Sequence, residues 1–218
     1  MMKLSTETSA REQVCLFAKS IYDRGLTHGS TGNISMRLED GGFLVTPTGS
    51  SLGFLDPQYL SVLDKDGHHI SGPAPTKEVP LHTAFYGVRK ALTGAVVHLH
   101  SHHSVALSLL DGIDAEDMLP PLTPYGIMQL GRVKLLPYIQ PGDPAMGDAV
   151  RALSPQTSAV VLANHGPVVA AATLDKAVFA MEELEATARL ALEMRGQTPN
   201  MLSADQIAKL VAAFNIDL

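Results

Sequence analysis

Val96-Val97-His98-Leu99-His100 is the stretch that decides the fold. Its β-branched valines favour a buried strand, predicted over 94–100, and its two histidines are separated by one residue. Residues two apart on a strand face the same side of the sheet, with Cα atoms about 6.6–7 Å apart. Two imidazoles at that spacing can close on one metal ion. The alternative is a pair of partly buried histidines that bond to backbone carbonyls.

The overall composition is that of an acidic folded domain. The chain has 218 residues, of which 45% are hydrophobic, and a formal net charge of −6. This length suits one domain or at most two small ones, and we predict a single domain over 1–218. The negative charge argues against nucleic acid or a membrane surface as partner. The lone Cys15 excludes an intramolecular disulfide. Without a signal peptide or an apolar run of about 18 residues, the chain is expected to be cytoplasmic.

A third histidine lies in a tight turn far along the chain. His165 belongs to Asn164-His165-Gly166-Pro167, which joins apolar strands predicted at 159–163 and 168–172. Such a turn holds its side chain rigidly at the edge of a sheet, which makes His165 a candidate third ligand. A turn histidine exposed to solvent is the alternative.

A carboxylate completes the candidate ligand set. Glu78 follows the Gly72–Lys77 loop, at the start of a helix predicted over Lys77–Lys90. Beside three histidines it supplies a fourth ligand, or leaves the metal and acts as a base. Without them it is only a partner of the helix dipole. His82 lies one turn later on the same helix face and is predicted to be a hydrogen-bond partner of the site or a core residue.

Two further histidines follow His100 within three residues of sequence, and they are expected to lie outside the metal site. His102 and His103 fall where the strand ends and a helix predicted over 104–110 begins. We therefore predict surface, substrate-side or interface positions for both.

Two loops combine glycine with hydroxyl side chains. They are Gly29-Ser30-Thr31-Gly32-Asn33 and Thr46-Pro47-Thr48-Gly49-Ser50-Ser51. Glycine lets backbone amides approach a phosphate closely, and hydroxyls donate further hydrogen bonds, so the loops indicate an anion site. Ordinary turn chemistry is the alternative. The sequence contains neither a Walker motif nor a dinucleotide-binding fingerprint.

The remaining pattern mixes hairpins with helices. It predicts an α/β or α+β fold around one mostly antiparallel sheet. Ser9 and Glu12 are predicted to form a capping box for the first helix. The proline-rich segment 111–145 is predicted to be mostly loop, with a short strand near 133–138. The acidic side chains of the long helix over 174–195, Glu185 among them, are predicted to form a solvated or interface face.

Taken in order, these motifs resemble the class II aldolase/adducin family. The motifs are Gly32-Asn33-Ile34-Ser35, Thr46-Pro47-Thr48-Gly49, Lys77-Glu78-Val79, Val96-Val97-His98-Leu99-His100 and Asn164-His165-Gly166-Pro167. The resemblance covers about residues 11 to 195. It implies a three-layer α/β/α fold with a central, mostly antiparallel sheet flanked by helices. It also implies a homotetramer whose sites lie near subunit interfaces.

The resemblance also implies roles for particular residues. Three histidines of the family hold zinc, and a glutamate serves as acid/base and as an occasional ligand; these positions fall on His98, His100, His165 and Glu78. Manganese or cobalt also suits imidazole ligands. The phosphate-binding positions fall on Ser30, Asn33, Thr48, Gly49 and Thr76. A tyrosine that handles protons in fuculose-phosphate aldolases falls on Tyr125.

One departure from the aldolases narrows the expected activity. Thr76-Lys77-Glu78 replaces their usual Ser-Ser-Glu, and longer stretches around the motifs resemble the branch that decarboxylates 3-oxo-tetronate 4-phosphate. That branch converts an intermediate of threonate or erythronate breakdown to dihydroxyacetone phosphate and CO2. We expect Lys77 to contact the substrate carboxylate, which aldolase substrates lack. A solvent-facing lysine is the alternative.

Two other functions remain open at this point. One is a sugar-phosphate aldolase of the fuculose or rhamnulose 1-phosphate type, or a pentulose-phosphate epimerase, on the same scaffold. The other is a non-catalytic interaction module of the adducin kind. The presence of the three histidines, Glu78 and Tyr125 argues against the module.

Overall fold

A single mixed sheet with helices on both faces forms the fold. The computed structural model describes residues 6–216, which form eight strands and seven α-helices. The strands are β1 (Asn33–Arg37), β2 (Phe43–Val45), β3 (Ser61–Leu63), β4 (His69–Ser71), β5 (Ala95–His98), β6 (Val133–Leu136), β7 (Ala159–Leu162) and β8 (Gly166–Ala171). The helices are α1 (Glu7–Asp23), α2 (Val79–Arg89), α3 (His102–Ser108), α4 (Pro124–Leu130), α5 (Ala145–Arg151), α6 (Leu174–Glu193) and α7 (Ala204–Phe214).

The strands follow the order β4-β3-β2-β1-β5-β8-β7-β6 across the sheet. Within residues 6–216 the neighbouring pairs are antiparallel except β6 and β7, which are parallel. One hydrophobic cluster covers one face of the sheet with α1 and α6, and a second covers the other face with α2 and α5. This arrangement confirms the predicted α/β class, with a mostly antiparallel sheet flanked by helices.

The central strand explains why a short valine-rich stretch decides the fold. Val96 and Val97 are both fully buried, but they belong to the hydrophobic clusters on opposite faces. A strand that is covered on both faces reads as a continuous apolar run. Because β5 pairs with β1 on one side and β8 on the other, His98 at its end lies between two neighbouring strands.

Strand register then gathers distant residues at one end of the sheet. Asn33 is paired with His98 across β1 and β5, and His98 is paired with Val168 across β5 and β8. The turn that carries His165 joins β7 to β8 at this same end, and its Asn164 adopts a left-handed backbone conformation with φ 60°. Residues far apart in sequence thus meet at the ends of three adjacent strands.

Two local predictions, the start of the first helix and the end of the central strand, were wrong. The first helix begins at Glu7 and not near Ser9; its N-cap is Thr6, whose side chain accepts a hydrogen bond from the Ser9 backbone amide at 3.5 Å. The segment 111–145 is mostly loop, as predicted, and β6 lies within the short strand predicted there; the helix α4, introduced by a Thr123 cap and Pro124, also lies inside it and was not predicted. The central strand ends at His98, two residues earlier than predicted, so that α3 begins at His102.

Two sequence expectations, a single domain and the lack of a membrane span, concern the whole chain. The predicted single domain over 1–218 includes residues 1–5 and 217–218, which lie outside the described residues. In the described part of the chain, no helix combines the length and apolar character needed to cross a membrane.

Close approach of the β7–β8 turn to β5 depends on Gly166. A Cβ atom there would lie 2.1 Å from the Leu99 carbonyl oxygen. We expect Gly166→Ala to lower the free energy of unfolding of the metal-free protein by about 3 kcal/mol, because the backbone would have to shift. Urea denaturation measures this.

The matched control is Gly87→Ala in α2, where an added Cβ meets no atom within 4 Å. That change should stabilise the protein by about 0.5–1 kcal/mol, since it removes glycine from a helix interior. If Gly166→Ala were as stable as Gly87→Ala, the close packing between the turn and β5 would not matter for stability.

Candidate functional site

Three histidines converge at the end of the sheet. The ring centroids of His98 and His100 lie 5.1 Å apart, those of His98 and His165 4.9 Å, and those of His100 and His165 4.7 Å. One ligand atom from each ring lies within 4.8 Å of the other two. His98 and His100 share a side because Leu99 between them points into the opposite hydrophobic cluster.

A backbone hydrogen bond fixes the tautomer of His98. Its Nδ1–H group donates to the carbonyl oxygen of Pro167 at 2.9 Å, and the ring is fully buried. The lone pair of a neutral ring then lies on Nε2, which faces His165. An imidazole oriented by a backbone carbonyl is the usual arrangement of a metal-binding histidine.

Glu78 faces the histidines from the start of α2. It occupies the N-cap position, yet its side chain does not cap the helix. Its carboxylate instead lies across the two buried rings: Oε2 is 3.4 Å from His98 Nε2, and Oε1 is 3.3 Å from His165 Nε2. The Oε1 atom is buried without a hydrogen-bond partner of its own.

The spacing of these atoms fits a tetrahedral metal site. Bonds of about 2.0–2.1 Å to a tetrahedral ion place neighbouring ligand atoms about 3.3 Å apart. The distance between His98 Nε2 and His165 Nε2 is 3.4 Å, and Glu78 faces each ring with a different oxygen, Oε2 at 3.4 Å from His98 and Oε1 at 3.3 Å from His165. A divalent cation would also satisfy the unpartnered Oε1 atom. Histidine nitrogen and carboxylate oxygen are donors that zinc, manganese and cobalt all accept.

The protonation states also suit metal binding. Burial, followed by the neighbouring His98, lowers the pKa of His100 to about 4 and that of His165 to about 4. Burial tends to raise the pKa of Glu78, but His98, a hydrogen bond from Asn33 and His165 hold it below its usual value. Neutral imidazoles and an ionised carboxylate are the forms that bind a metal.

A cavity of about 300 Å³ opens beside this centre. Glu78, His100 and His165 line it, and the two glycine–hydroxyl loops form much of its wall. The other predicted residues on its lining are Ser30, Asn33, Thr48, Gly49, Thr76 and Lys77. Pro141 and Gly142 line it as well and were missed, although a Pro-Gly dipeptide is a recognisable turn signal.

Backbone contacts hold the wall together. Pro47 bridges to Pro75, the Thr48 amide donates to the Ala74 carbonyl at 3.0 Å, and the Thr76 amide donates to the Thr46 carbonyl at 3.2 Å. These bonds place the loop after β2 against the loop before α2. The hydroxyl loop and the Lys77–Glu78 pair therefore face one cavity.

Asn33 and His82 form a buried hydrogen-bonded pair beside Glu78. The resemblance assigns Asn33 to phosphate, but its side chain is 93% buried and occupied: Nδ2 donates to Glu78 Oε2 at 2.6 Å, and Oδ1 bonds to His82 Nε2 at 2.5 Å. His82 is buried and bonds to Asn33, which in turn bonds to Glu78. It therefore occupies one of its two predicted positions, that of a hydrogen-bond partner of the site.

Tyr125 is not brought to the cavity by this chain. It lies at the start of α4 with 60% of its side chain exposed, and it is absent from the lining of the 300 Å³ cavity. Local sequence gives no sign of this separation, because the tyrosine follows a loop whose path is set by tertiary packing.

His102 and His103 lie outside the three-histidine group. His102 is exposed, while His103 Nδ1 is 2.8 Å from Glu185 Oε1. The Glu185 carboxylate also accepts from the backbone amides of His103 and Ser104, at 2.8 and 2.9 Å, and so caps α3. The prediction that Glu185 belongs to a solvated or interface face of α6 was wrong, because its side chain is turned inward onto α3.

Fold and site together define a class of protein. Residues 12–192 match the model of the family described as the Class II Aldolase and Adducin N-terminal domain. The chain belongs to this family.

Within the family, the chain is more similar to a decarboxylase than to an L-fuculose phosphate aldolase. It is 46% identical over 204 residues to the 3-oxo-tetronate 4-phosphate decarboxylase of Escherichia coli K12, covering 94% of this chain and 96% of that protein. The L-fuculose phosphate aldolase of Escherichia coli O6:H1 is 31% identical over 194 residues, or 87% of this chain and 86% of the aldolase.

A solved structure agrees with this likeness. YgbL of Klebsiella pneumoniae, described as an aldolase, epimerase or decarboxylase, superimposes with a TM-score of 0.91 at 44% identity. The match covers 94% of this chain and 99% of YgbL.

The ligand set can be tested one histidine at a time. We expect His98→Ala, His100→Ala and His165→Ala each to weaken binding of Zn²⁺ by more than about 100-fold, since loss of even an outer hydrogen-bond partner costs 10–100-fold. Elemental analysis of purified protein and titration with Zn²⁺ measure this.

His102→Ala is the matched control and should retain about one metal ion per chain. Loss of metal in this variant as complete as in His98→Ala would contradict the ligand assignment. A wild-type protein that binds no transition metal would favour the interaction module.

Proposed function

We propose that this protein decarboxylates 3-oxo-tetronate 4-phosphate to dihydroxyacetone phosphate and CO2. The observation that carries the proposal is the convergence of His98, His100, His165 and Glu78 beside a cavity walled by hydroxyl loops and Lys77. The 46% identity to a decarboxylase, against 31% to an aldolase, supports this reaction over aldol cleavage.

The proposed reaction breaks one carbon–carbon bond. The bond between C2 and the carboxylate carbon breaks, CO2 leaves, and the electron pair stays on C2, C3 and the C3 oxygen as an enediolate. A proton taken up from solvent then adds to C2, which becomes the hydroxymethyl carbon of dihydroxyacetone phosphate. A divalent metal held by the three histidines supplies Lewis-acid stabilisation of the negative charge that develops on oxygen.

Glu78 is the proposed acid/base. Its Oε1 atom has no hydrogen-bond donor, whereas Oε2 accepts from Asn33. Oε1 is therefore the atom free to bind the metal or to carry the proton that adds to C2. A carboxyl group that can reach both the metal and C2 can alternate between metal ligand and proton carrier during turnover.

The wall of the cavity is proposed to hold the phosphate. Ser30, Thr48 and Gly49 lie at its exposed rim, and Thr76 lies deeper. Hydroxyls and glycine amides bind a phosphate through several weak donors, which fixes the orientation of the substrate. Asn33 is proposed to contribute through its position beside Glu78, since its side-chain amide is already engaged.

Lys77 is proposed to bind the substrate carboxylate. It is exposed on the cavity lining next to Glu78, and Gly142 lies beside it: a Cβ atom on Gly142 would be in ordinary contact, 3.6 Å from the Lys77 Cβ. An ammonium group near the carboxylate positions the bond that breaks. It also distinguishes this substrate from uncarboxylated sugar phosphates.

Several finer features are part of the same proposal. Zinc is the proposed metal, with manganese or cobalt as substitutes, and the enzyme is proposed to be a cytoplasmic homotetramer with sites near subunit interfaces. Tyr125 is exposed and does not line the cavity of its own chain. In a homotetramer it is proposed to reach the site of a neighbouring subunit. Its proposed role in proton handling therefore requires a second copy of the chain.

A substrate panel tests the proposed reaction. With Zn²⁺ present, 3-oxo-tetronate 4-phosphate should yield dihydroxyacetone phosphate and CO2 in equal amounts, detected with a coupled reductase and by carbonate trapping. Fuculose 1-phosphate and ribulose 5-phosphate should react far more slowly, because neither offers a carboxylate. Faster turnover of either sugar phosphate would contradict the proposal in favour of an aldolase or an epimerase.

The role of Lys77 is tested by Lys77→Ser, which places the smaller hydroxyl group of the aldolase motif at this position. We expect kcat/KM for decarboxylation to fall by about 10–100-fold, since a charge-assisted hydrogen bond is lost. Lys65→Ser, in the exposed turn between β3 and β4, is the control and should react like the wild type. Unchanged kcat/KM in Lys77→Ser would remove Lys77 from the mechanism.

A further inference from the structure

A chain of buried hydrogen bonds leads away from Glu78 into the protein. Tyr86 Oη lies 3.0 Å from Ser35 Oγ, which lies 2.7 Å from His82 Nδ1. His82 Nε2 lies 2.5 Å from Asn33 Oδ1, and Asn33 Nδ2 lies 2.6 Å from Glu78 Oε2. All five side chains are at most 8% exposed. Such a run of polar groups through a hydrophobic layer is costly unless each member is paired.

The chemistry of the groups fixes the direction of this chain. The Glu78 carboxylate only accepts, so Asn33 must present its N–H group to Glu78 and its oxygen to His82. His82 then donates from Nε2, which leaves Nδ1 as an acceptor for the Ser35 hydroxyl. Ser35 in turn accepts from the Tyr86 hydroxyl. Each donor along the chain points toward Glu78.

A neutral His82 is required for this direction. A charged imidazole would donate from both nitrogens and reverse the bond with Ser35. Burial, followed by the neighbouring His98, lowers the pKa of His82 to about 3, which keeps the ring neutral near neutral pH. The direction of donation along these hydrogen bonds is therefore maintained near neutral pH.

We propose that His82 is a positioning residue that acts through Asn33. By donating to Asn33 Oδ1, it prevents the amide from rotating and keeps the Asn33 N–H group on Glu78 Oε2. This leaves Oε1, the unpartnered oxygen, directed at the metal centre and substrate. The inference rests on the proposed role of Glu78, and it adds Ser35 and Tyr86 as the outer supports of His82.

The decisive variant is His82→Phe, which retains a buried ring but removes both nitrogens. We expect the dissociation constant for Co²⁺, followed by its visible absorption, to rise about 10–100-fold, the usual effect of losing an outer partner of a metal ligand. In the Zn²⁺ enzyme, kcat should fall by a similar factor with little change in KM, because the phosphate-binding wall is untouched.

Rescue separates positioning from packing. His82→Gln offers an amide that can donate to Asn33 and accept from Ser35, so it should recover most of the loss in both measurements. Ser35→Ala removes only a hydroxyl and should weaken Co²⁺ binding about 3-fold or more. Val178→Ala, at a buried position in α6 on the opposite face of the sheet, controls for general destabilisation and should leave both measurements unchanged.

The outcomes are distinguishable from failure of the proposed function. Wild-type Co²⁺ affinity and kcat in a folded His82→Phe would overturn the positioning role. If His82→Phe does not fold, wild-type Co²⁺ affinity and kcat in Ser35→Ala would overturn it. If the wild type proves to use another substrate, the Co²⁺ titration still decides the role of His82, since it needs no turnover.

Discussion

The ionised carboxylate of Glu78, held within 3.4 Å of two buried imidazoles, is the interaction on which the site depends. A carboxylate that is 93% buried requires compensation by charge or by hydrogen bonds. The chain provides an Asn33 amide on one oxygen and leaves the other free for a cation. The same group thus links the metal centre, the proposed proton transfer and the buried polar chain behind it.

This interaction is a consequence of sheet topology. β5 ends at His98 and leads into His100, β1 carries Asn33, and the turn before β8 carries His165, while the start of α2 brings Glu78 over their ends. Tight packing of the β7–β8 turn on Leu99 requires glycine at position 166. Hydrophobic clusters on both faces of the sheet make this arrangement rigid, which a metal site with atom spacings near 3.3 Å requires.

Much of the fold and the convergence of the three histidines were predictable because they depend on short-range patterns. Strand alternation places His98 and His100 on one side, and the Asn-His-Gly-Pro turn fixes His165. What was not predictable depends on side-chain partners distant in sequence: Asn33 engages Glu78 and His82, and Glu185 turns inward to cap α3. No local periodicity encodes such pairings. Helix α4 was missed because prolines obscured its Thr123 cap.

The central claim is that one metal ion is held jointly by three imidazoles and the Glu78 carboxylate. X-ray absorption at the zinc edge of the reconstituted protein tests it most directly. We expect a four-coordinate shell of nitrogen and oxygen at about 2.0–2.1 Å with outer scattering from three imidazoles, and loss of one oxygen ligand in Glu78→Ala. A six-coordinate oxygen shell, or a spectrum with fewer than three imidazoles, would contradict it.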